Sequence, residues 1–464
     1  MKKLILLLFI PLVSFGQTAI TDANIHDAVD LWESNQTSAE AEYGNISNWD
    51  TSNVTDMSYL FNNHLNFNDN IGGWDVSNVS NMFAMFSQAE AFNQPIGDWD
   101  VSNVTNMQAM FNGADAFNHP IGDWNVSNVN NMGTMFRLAT SFNQPIGNWN
   151  VSGVSNMSNM FQLATSFNQP IGDWDVSSVT DMNSMFWQAD NFNQPIGDWD
   201  VSSVVDMTRM FCNISSFNQP IGNWDVGNVI HMLEMFQASN FNQPIGDWNV
   251  SNVEIMRNMF NQTPFNQDIS NWDVSNVKSM NGMFRYSCFN QDIGNWDITT
   301  VSSWSYDLES MEMIFSSNQS LINSSTCSTL STTNYDNILI AWSQQDVAHN
   351  VNFGAQLMNY CNSEAERQSL IDKGWIFDGD SYDCSNLSLE ENRMHISLYP
   401  NPTTNYVYVN IDTEFEAVVF DLLGKELIRE NITGRLGISS LESGTYILNL
   451  TDGINTSTHK IIKD

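Results

Sequence analysis

From Ile46 to about position 310 the chain repeats one pattern of apolar and polar positions, with a period of about 25 residues that shortens by one toward the end. Tryptophan marks it. Trp49, Trp74, Trp99, Trp124, Trp149, Trp174, Trp199, Trp224, Trp248, Trp272 and Trp296 follow one another at equal steps seven times, and the last three steps are each one position shorter. A fixed period of this size is the signature of stacked supersecondary units. In the unit Ile96–Pro120 the apolar residues are Ile96, Trp99, Val101, Val104, Met107, Met110, Phe111, Ala114 and Phe117. Trp99 and Val101 alternate with Asp98, Asp100 and Ser102, which predicts a short strand; Val104, Met107, Met110 and Phe111 fall at i, i+3, i+6 and i+7, which predicts a short helix or 3₁₀ run. Ser and Asn between Val101 and Val104 supply a turn and a helix cap. Phe117-Asn118-His119-Pro120 is the return, where proline ends regular structure.

One unit cannot bury its own Trp, Phe and Met. Stacking lets each layer cover the next, and eleven layers at a strand-like step of roughly 4.8 Å span on the order of 50 Å. The asparagine after the return Phe, from Asn68 to Asn290, predicts an internal ladder of amides. The shorter units lose their residue between the Met-Phe pair and the return, in a connecting bend where a length change costs least.

The frame M-F-x-x-A-x-x-F-x-x-x-I-x-x-W-x-V-x-x-V-x-x-M, with its WDVSNVTNM signature, resembles the leucine-rich repeats of BspA-like bacterial surface proteins, most closely the mycoplasma-type variant. The resemblance implies an α/β repeat solenoid with a short strand and a short helix per turn, a concave parallel sheet, surface display and protein-binding or adhesive roles. Asp307-Leu308 stands where a Met-Phe pair is due, so the array decays there.

The flanks read differently. Met1-Lys2-Lys3 followed by the apolar run Leu4–Val13 has the form of a secretory signal, here residues 1–16. Residues 17–45 carry Ile25, Ala28, Val29 and Trp32 at near-helical spacing and predict a helical cap on the array at 46–310. Residues 311–386 predict a second cap, with helices around Ile338–Trp342 and Arg367–Ile371. Of the five cysteines, Cys327, Cys361 and Cys384 fall in this region, where an exported chain allows a bridge, such as Cys361–Cys384; Cys212 and Cys288 read as small fillers within the repeats. After a linker at 387–395, residues 396–464 hold short strand candidates at Tyr406–Val409, Ala417–Phe420, Tyr446–Leu450 and Lys460–Ile462, as in a small β-sandwich. Tyr399-Pro400-Asn401-Pro402, the Gly444–Tyr446 segment and Lys460 near the end make this piece similar to the type A sorting domain of the type IX secretion system of Bacteroidetes. That resemblance implies the secretion machinery as a partner, and release or attachment outside the outer membrane.

Composition narrows the function. Fifty-two acidic residues stand against 15 basic ones, a formal net charge of −37, which excludes the basic footprint that nucleic acid or an anionic membrane demands. No P-loop, HExxH, GxSxG or dinucleotide fingerprint is present, and a carboxylate recurring in every unit is unlike the single asymmetric constellation of an active site. If the indoles point inward, their neighbours face out. Asp75, Asp100, Asp175, Asp200 and Asp225 follow a Trp; Asp98, Asp123, Asp173 and Asp198 precede one; Ser102 and Ser177 add hydroxyls. These define the expected binding surface, with Trp187 as an off-frame contact residue. Like charges one layer apart repel by roughly 0.8 kcal/mol in water-like dielectric. The two acidic rows (Asp98, Asp100, Asp123, Asp173, Asp175, Asp198 and Asp200) either hold Ca²⁺ or form a solvated face without a cofactor. The expected function is a non-catalytic surface binding protein for a protein or glycan ligand, with no transmembrane segment in the mature chain. The alternative is a secreted hydrolase with its site in 311–386.

Overall fold

The computed structural model describes residues 17–301, 311, 314–315, 330–385, 398–399, 403, 405–409, 414–421, 424–451 and 456–463. Residues 1–16, expected to be a signal, Asp307-Leu308, the expected linker at 387–395 and Cys327 lie outside them. The chain divides into two compact units, Met1–Tyr382 and Asp383–Asp464.

In the first unit, each layer is made of turns. The backbone N–H groups of Trp99, Val104, Met110, Asn112, Ala114 and Phe117 each donate to the carbonyl three residues earlier, at 2.9–3.2 Å. Between these turns the layers bond to each other. Met107, Ala109, Phe111 and Gly113 donate forward to the carbonyls of Asn131, Gly133, Met135 and Arg137, while Thr105 and Ala116 donate backward to Ser80 and Glu90. Parallel bridges run through Asp56, Asn81, Asn106, Asn131, Asn156, Asp181, Asp206, His231, Ile255 and Ser279, one residue per layer.

This differs from the expected strand and helix. The Trp99–Val101 segment is too short to pair, because turns close on both sides of it. The bridge forms instead at Asn106. No helix forms over Val104–Phe111, because alternate N–H groups there are spent on the next layer. Ala109 and Gly113 also take the left-handed conformation, with φ of 58° and 70°, and break any helical run. The apolar periodicity nonetheless marks the core: Val104, Met107, Met110 and Phe111 have no exposed surface.

The core is a set of ring columns. Phe111 lies 4.1 Å from Phe117 within its layer, 5.6 Å from Phe136 in the next, and within 6° of parallel to both. Trp224 and Trp248 stack at 6.5 Å. The indoles are 4 % exposed or less. In the repeat frame from Trp74 to Trp296 each indole N–H donates across the layer boundary, as Trp149 does to the carbonyl of Ile121 at 3.1 Å, so the polar end of the ring is satisfied inside the core. The asparagine ladder is present, with Asn143 N–H donating to Asn118 Oδ1 and Asn168 N–H to Asn143 Oδ1. It runs along the partly exposed edge, not the interior, because the phenylalanines fill the interior. In the shorter layers a buried hydroxyl takes over the missing turn. Ser239 Oγ donates to Phe236 O at 2.7 Å and accepts from Phe241 N–H at 3.4 Å, and Thr263 repeats the arrangement.

Both ends of the array carry helices. At the front, α1 (Ile25–Ser34) buries Ile25, Ala28, Val29 and Trp32, and α2 (Gln36–Tyr43) follows. Trp32 meets Trp49 edge-on at 6.1 Å. Asp22 accepts the N–H groups of Thr55 and Asp56, backbone that no preceding layer covers. At the other end α3 (Thr332–Ser343) continues the ladder: Ser331 N–H and the Asn334 amide both donate to Asn290 Oδ1. Strands β1 (Asn352–Gly354), β2 (Asn359–Tyr360), β3 (Ile376–Asp378) and β4 (Ser381–Tyr382) pair in parallel as β1–β3 and β2–β4, with α4 (Glu364–Asp372) between β2 and β3. Cys361 and Cys384 each take part in a disulfide bond. So does Cys288, where the sequence predicts a small filler; Cys212 is free and buried.

Among the described residues the second unit has seven strands, β5 (Leu398–Tyr399), β6 (Tyr406–Val409), β7 (Phe415–Phe420), β8 (Glu426–Ile432), β9 (Arg435–Gly437), β10 (Gly444–Thr451) and β11 (Thr456–Lys463). They form a four-stranded sheet ordered β11-β10-β7-β8 and a three-stranded sheet ordered β5-β6-β9. The alternating residues Val407, Val409, Ala417, Val419, Leu448, Leu450 and Ile461 close one core between them.

Candidate binding surface

The residue after each tryptophan has a local role first. Asp100 Oδ1 accepts the N–H of Ser102 at 3.0 Å, and Asp175 Oδ1 accepts both the N–H (3.1 Å) and the hydroxyl (2.6 Å) of Ser177. Asp75, Asp200 and Asp225 repeat the backbone bond, onto Ser77, Ser202 and Gly227. The carboxylate closes the turn that separates the Trp-Val pair from the next valine, the usual role of Asp and Asn at such turns. Asn125, Asn150 and Asn249 make the same bond, which shows that the position needs an acceptor and not a charge. The Ser hydroxyl, and after it the Ser N–H, hold Asp50, Asp100, Asp175, Asp200 and Asp273 below the ordinary carboxylate pKa.

The residue before each tryptophan is different. Asp98, Asp123, Asp173 and Asp198 make no turn bond of this kind and lie at the surface. Asp98 and Asp123, with Asn148, edge an open groove of ≈ 380 Å³ floored by Gly97, Gly122 and Gly147 and walled by Pro120, Pro145 and Pro170. The glycines are required there. A Cβ on Gly147 would lie 2.6 Å from the carbonyl oxygen of Pro170, closer than real contacts allow. Carboxylates stand on both sides of the buried indole only at Trp99, Trp174 and Trp199. Among the described residues no three His, Cys, Asp or Glu side chains come together as a metal site.

Trp187, expected to be a free contact residue, is half-buried instead, with the Arg209 guanidinium 5.7 Å above its ring. Its layer neighbours are long enough to lie across it. In the region 330–386 the polar groups satisfy one another. Asp336 accepts Cys361 N–H, Asn362 N–H and the Ser363 hydroxyl just ahead of α4, and Asp380 binds Arg367 through two 2.6 Å bonds and the Tyr335 hydroxyl at 2.9 Å. Burial, and then the Asp380 charge, drive the Tyr335 phenol well up. These contacts tie α3, α4 and β4 together.

In the second unit Tyr399 pairs with Tyr408, Gly444 with Lys463, Tyr446 with Ile461, and Lys460 with Ile447. The Tyr446 hydroxyl donates to Glu442 O at 2.8 Å. Pro400, Asn401 and Pro402 lie outside the described residues.

A ladder of near-identical turns followed by an unrelated two-sheet unit defines a repeat protein with an appended domain. The family described as "Mycoplasma protein of unknown function, DUF285" matches residues 30–149, 94–195, 134–240, 170–263 and 206–321, and the chain belongs to this family, whose repeats are BspA-like. Residues 397–464 match the secretion system C-terminal sorting domain, which places the protein outside the cell or at its surface and makes the type IX machinery its partner in export. Neither match is to an enzyme family. Comparison with curated proteins gives no match. No helix among the described residues is long and apolar enough to cross a membrane.

Proposed function

We propose that the protein is a secreted or surface-attached binding protein, an adhesin or interaction scaffold without catalysis, whose repeats form a solenoid of leucine-rich-repeat type. Residues 17–45 and 311–386 serve as its caps. One observation carries this reading: the layers are joined by the same backbone, amide and ring contacts from Asp56 to Ser279, so the array presents long, parallel rows of side chains. A rigid surface of repeated rows suits recognition. The Asp100-type row belongs to this scaffold as turn chemistry, and the Asp98-type row as solvated charge. Nothing among the described residues of 311–386 favours a hydrolase.

The test is an array of host proteins and glycans probed with the secreted protein. Saturable capture of at least one ligand, competed by soluble ligand, is expected; absence of any capture sinks the reading. Calorimetric titration with CaCl₂ is expected to give no uptake, and measurable uptake would reassign the acidic rows to a cation.

A further inference from the structure

Within layers that otherwise copy one another, two residue pairs change every time: the pair between the two buried methionines (Gln108-Ala109 in one layer, Thr208-Arg209 in another) and the pair after the buried phenylalanine (Asn112-Gly113, Trp187-Gln188). Both pairs lie on the segment that donates forward to the next layer. The second member of each pair is left-handed in every layer from Tyr59 to Tyr286. Glycine takes this conformation without steric cost, yet it occurs there only at Gly113 and Gly282; elsewhere the position carries residues as large as Leu163, Arg209 and Tyr286. The array keeps side chains on this face at positions where a glycine fits more easily.

The charge of the face is opposite to that of the chain. Five basic residues occur between Ile46 and Val301, and four of them (Arg137, Arg209, Arg257 and Arg285) stand in these pairs, against a single acid, Glu234. The rest are mainly amides, hydroxyls and aromatic rings. The side chains brace one another sideways: Arg137 Nε donates to Gln162 Oε1 at 2.6 Å and its Nη1 to Asn112 Oδ1 at 3.3 Å, and Arg209 pairs with Glu234 at 2.7 Å. The face also holds unspent hydrogen-bonding capacity. Six buried side-chain polar atoms lack a partner among the described residues. Four of them are here, in the position just after the phenylalanine: Trp187 Nε1, Gln237 Oε1, Asn261 Oδ1 and Arg285 Nε. Asn261 is only 5 % exposed.

We propose that this variable face, and not the acidic rows, is the ligand-binding surface, and that its ligand is an anionic polysaccharide. This rests on the binding-protein reading and names the ligand class. Guanidinium groups recognise carboxylate or sulfate, amides recognise hydroxyls, and rings pack on sugar faces. The rings and apolar side chains of this face (Tyr59 against Phe83, Leu138 and Leu163, Trp187) are interspersed with amides and hydroxyls along the rows, which suits an extended polar polymer; a protein that docks on the same rings and arginines is the outcome the array tests. A nucleic acid fits less well too, because one phosphate per ~1.7 Å of duplex demands denser cations than four arginines in ten layers. Charges on other rows are screened over a Debye length of about 8 Å at physiological salt, so local charge governs the encounter.

The test uses the full secreted protein with polygalacturonate, dextran sulfate and uncharged dextran, titrated at 50 and 300 mM NaCl. Binding of a charged polymer and not of dextran is expected, weaker at the higher salt. The combined Arg137→Gln, Arg209→Gln, Arg257→Gln and Arg285→Gln variant should bind at least tenfold more weakly with an unchanged circular-dichroism melt. If that variant does not fold, Arg209→Gln alone should weaken binding about threefold. Asp100→Asn with Asp175→Asn should leave affinity unchanged or raise it. Polymer binding that survives loss of the arginines, or equal binding of dextran, overturns the assignment. So does failure of both charged polymers while the protein and glycan array still yields a ligand, an outcome that leaves the binding-protein reading standing. Failure of both polymers and array sinks the two together.

Discussion

Asp175 shows why a residue's chemistry depends on what its oxygens already do. Read in one dimension, it is one of a row of carboxylates awaiting a cation. In the folded chain its Oδ1 is occupied by Ser177, and three other layers use asparagine for the same bond. Asp175→Asn is therefore expected to leave the thermal midpoint at neutral pH nearly unchanged, while Asp175→Ala loses the acceptor and costs about 1 kcal/mol, as for other side-chain caps. Thermal melts of the two variants check this. If the asparagine form proves as unstable as the alanine form, charge and not turn closure is what the position supplies.

The element here is the layer, and its tolerances are set by its neighbours. The Gly147 position accepts nothing larger without moving Pro170 O, which is part of the next layer's backbone. Serine stands at this position only in the first layer (Ser47) and the tenth (Ser270). Gly147→Ala, in the middle of the array, is expected to destabilise by about 1–3 kcal/mol, the range of overpacking in dense interiors, read from urea denaturation. Neutral behaviour of that variant would mean that layers slide apart at small cost. The shortened layers make the same point in reverse, since Ser239 and Thr263 let the chain drop a residue by replacing a backbone turn with a hydroxyl.

For the whole molecule the relevant variable is charge. Asp50, Asp100, Asp175, Asp200 and Asp273 titrate below the ordinary value of 3.8 because serine hydroxyls and N–H groups bond their charged forms. Their contribution is present above that value and is lost as pH falls through the lower folded pKa values, since the unfolded chain takes up protons first. Asp115 and Asp181 act oppositely: burial raises them, and their charged forms weaken the fold above their folded pKa. Acid also relieves the self-repulsion of a chain at −37. The melting temperature is expected to hold or rise slightly from pH 7 toward pH 5 and to fall below pH 4. A midpoint that keeps rising to pH 3 would show repulsion outweighing the turn bonds.

The period of the tryptophans, the inward set of Val, Met and Phe, the helices around Trp342 and Arg367, and the strand at Tyr406–Val409 were legible in the sequence, because burial imposes a spacing on apolar residues whatever the backbone does. The form of that backbone was not legible. Whether Met107–Phe111 closes a helix or reaches to the next layer depends on where its N–H groups find acceptors, and those acceptors lie a full layer further along the chain. For the same reason the carboxylates after the tryptophans read as an open row and are spent on turns, Trp187 reads as exposed and lies under Arg209, and the disulfide at Cys288 is not read. The varied face was written in the repeat all along as the pairs that refuse to recur. Only the left-handed backbone and the sideways bonding of Arg137 and Arg209 set those pairs together on one surface.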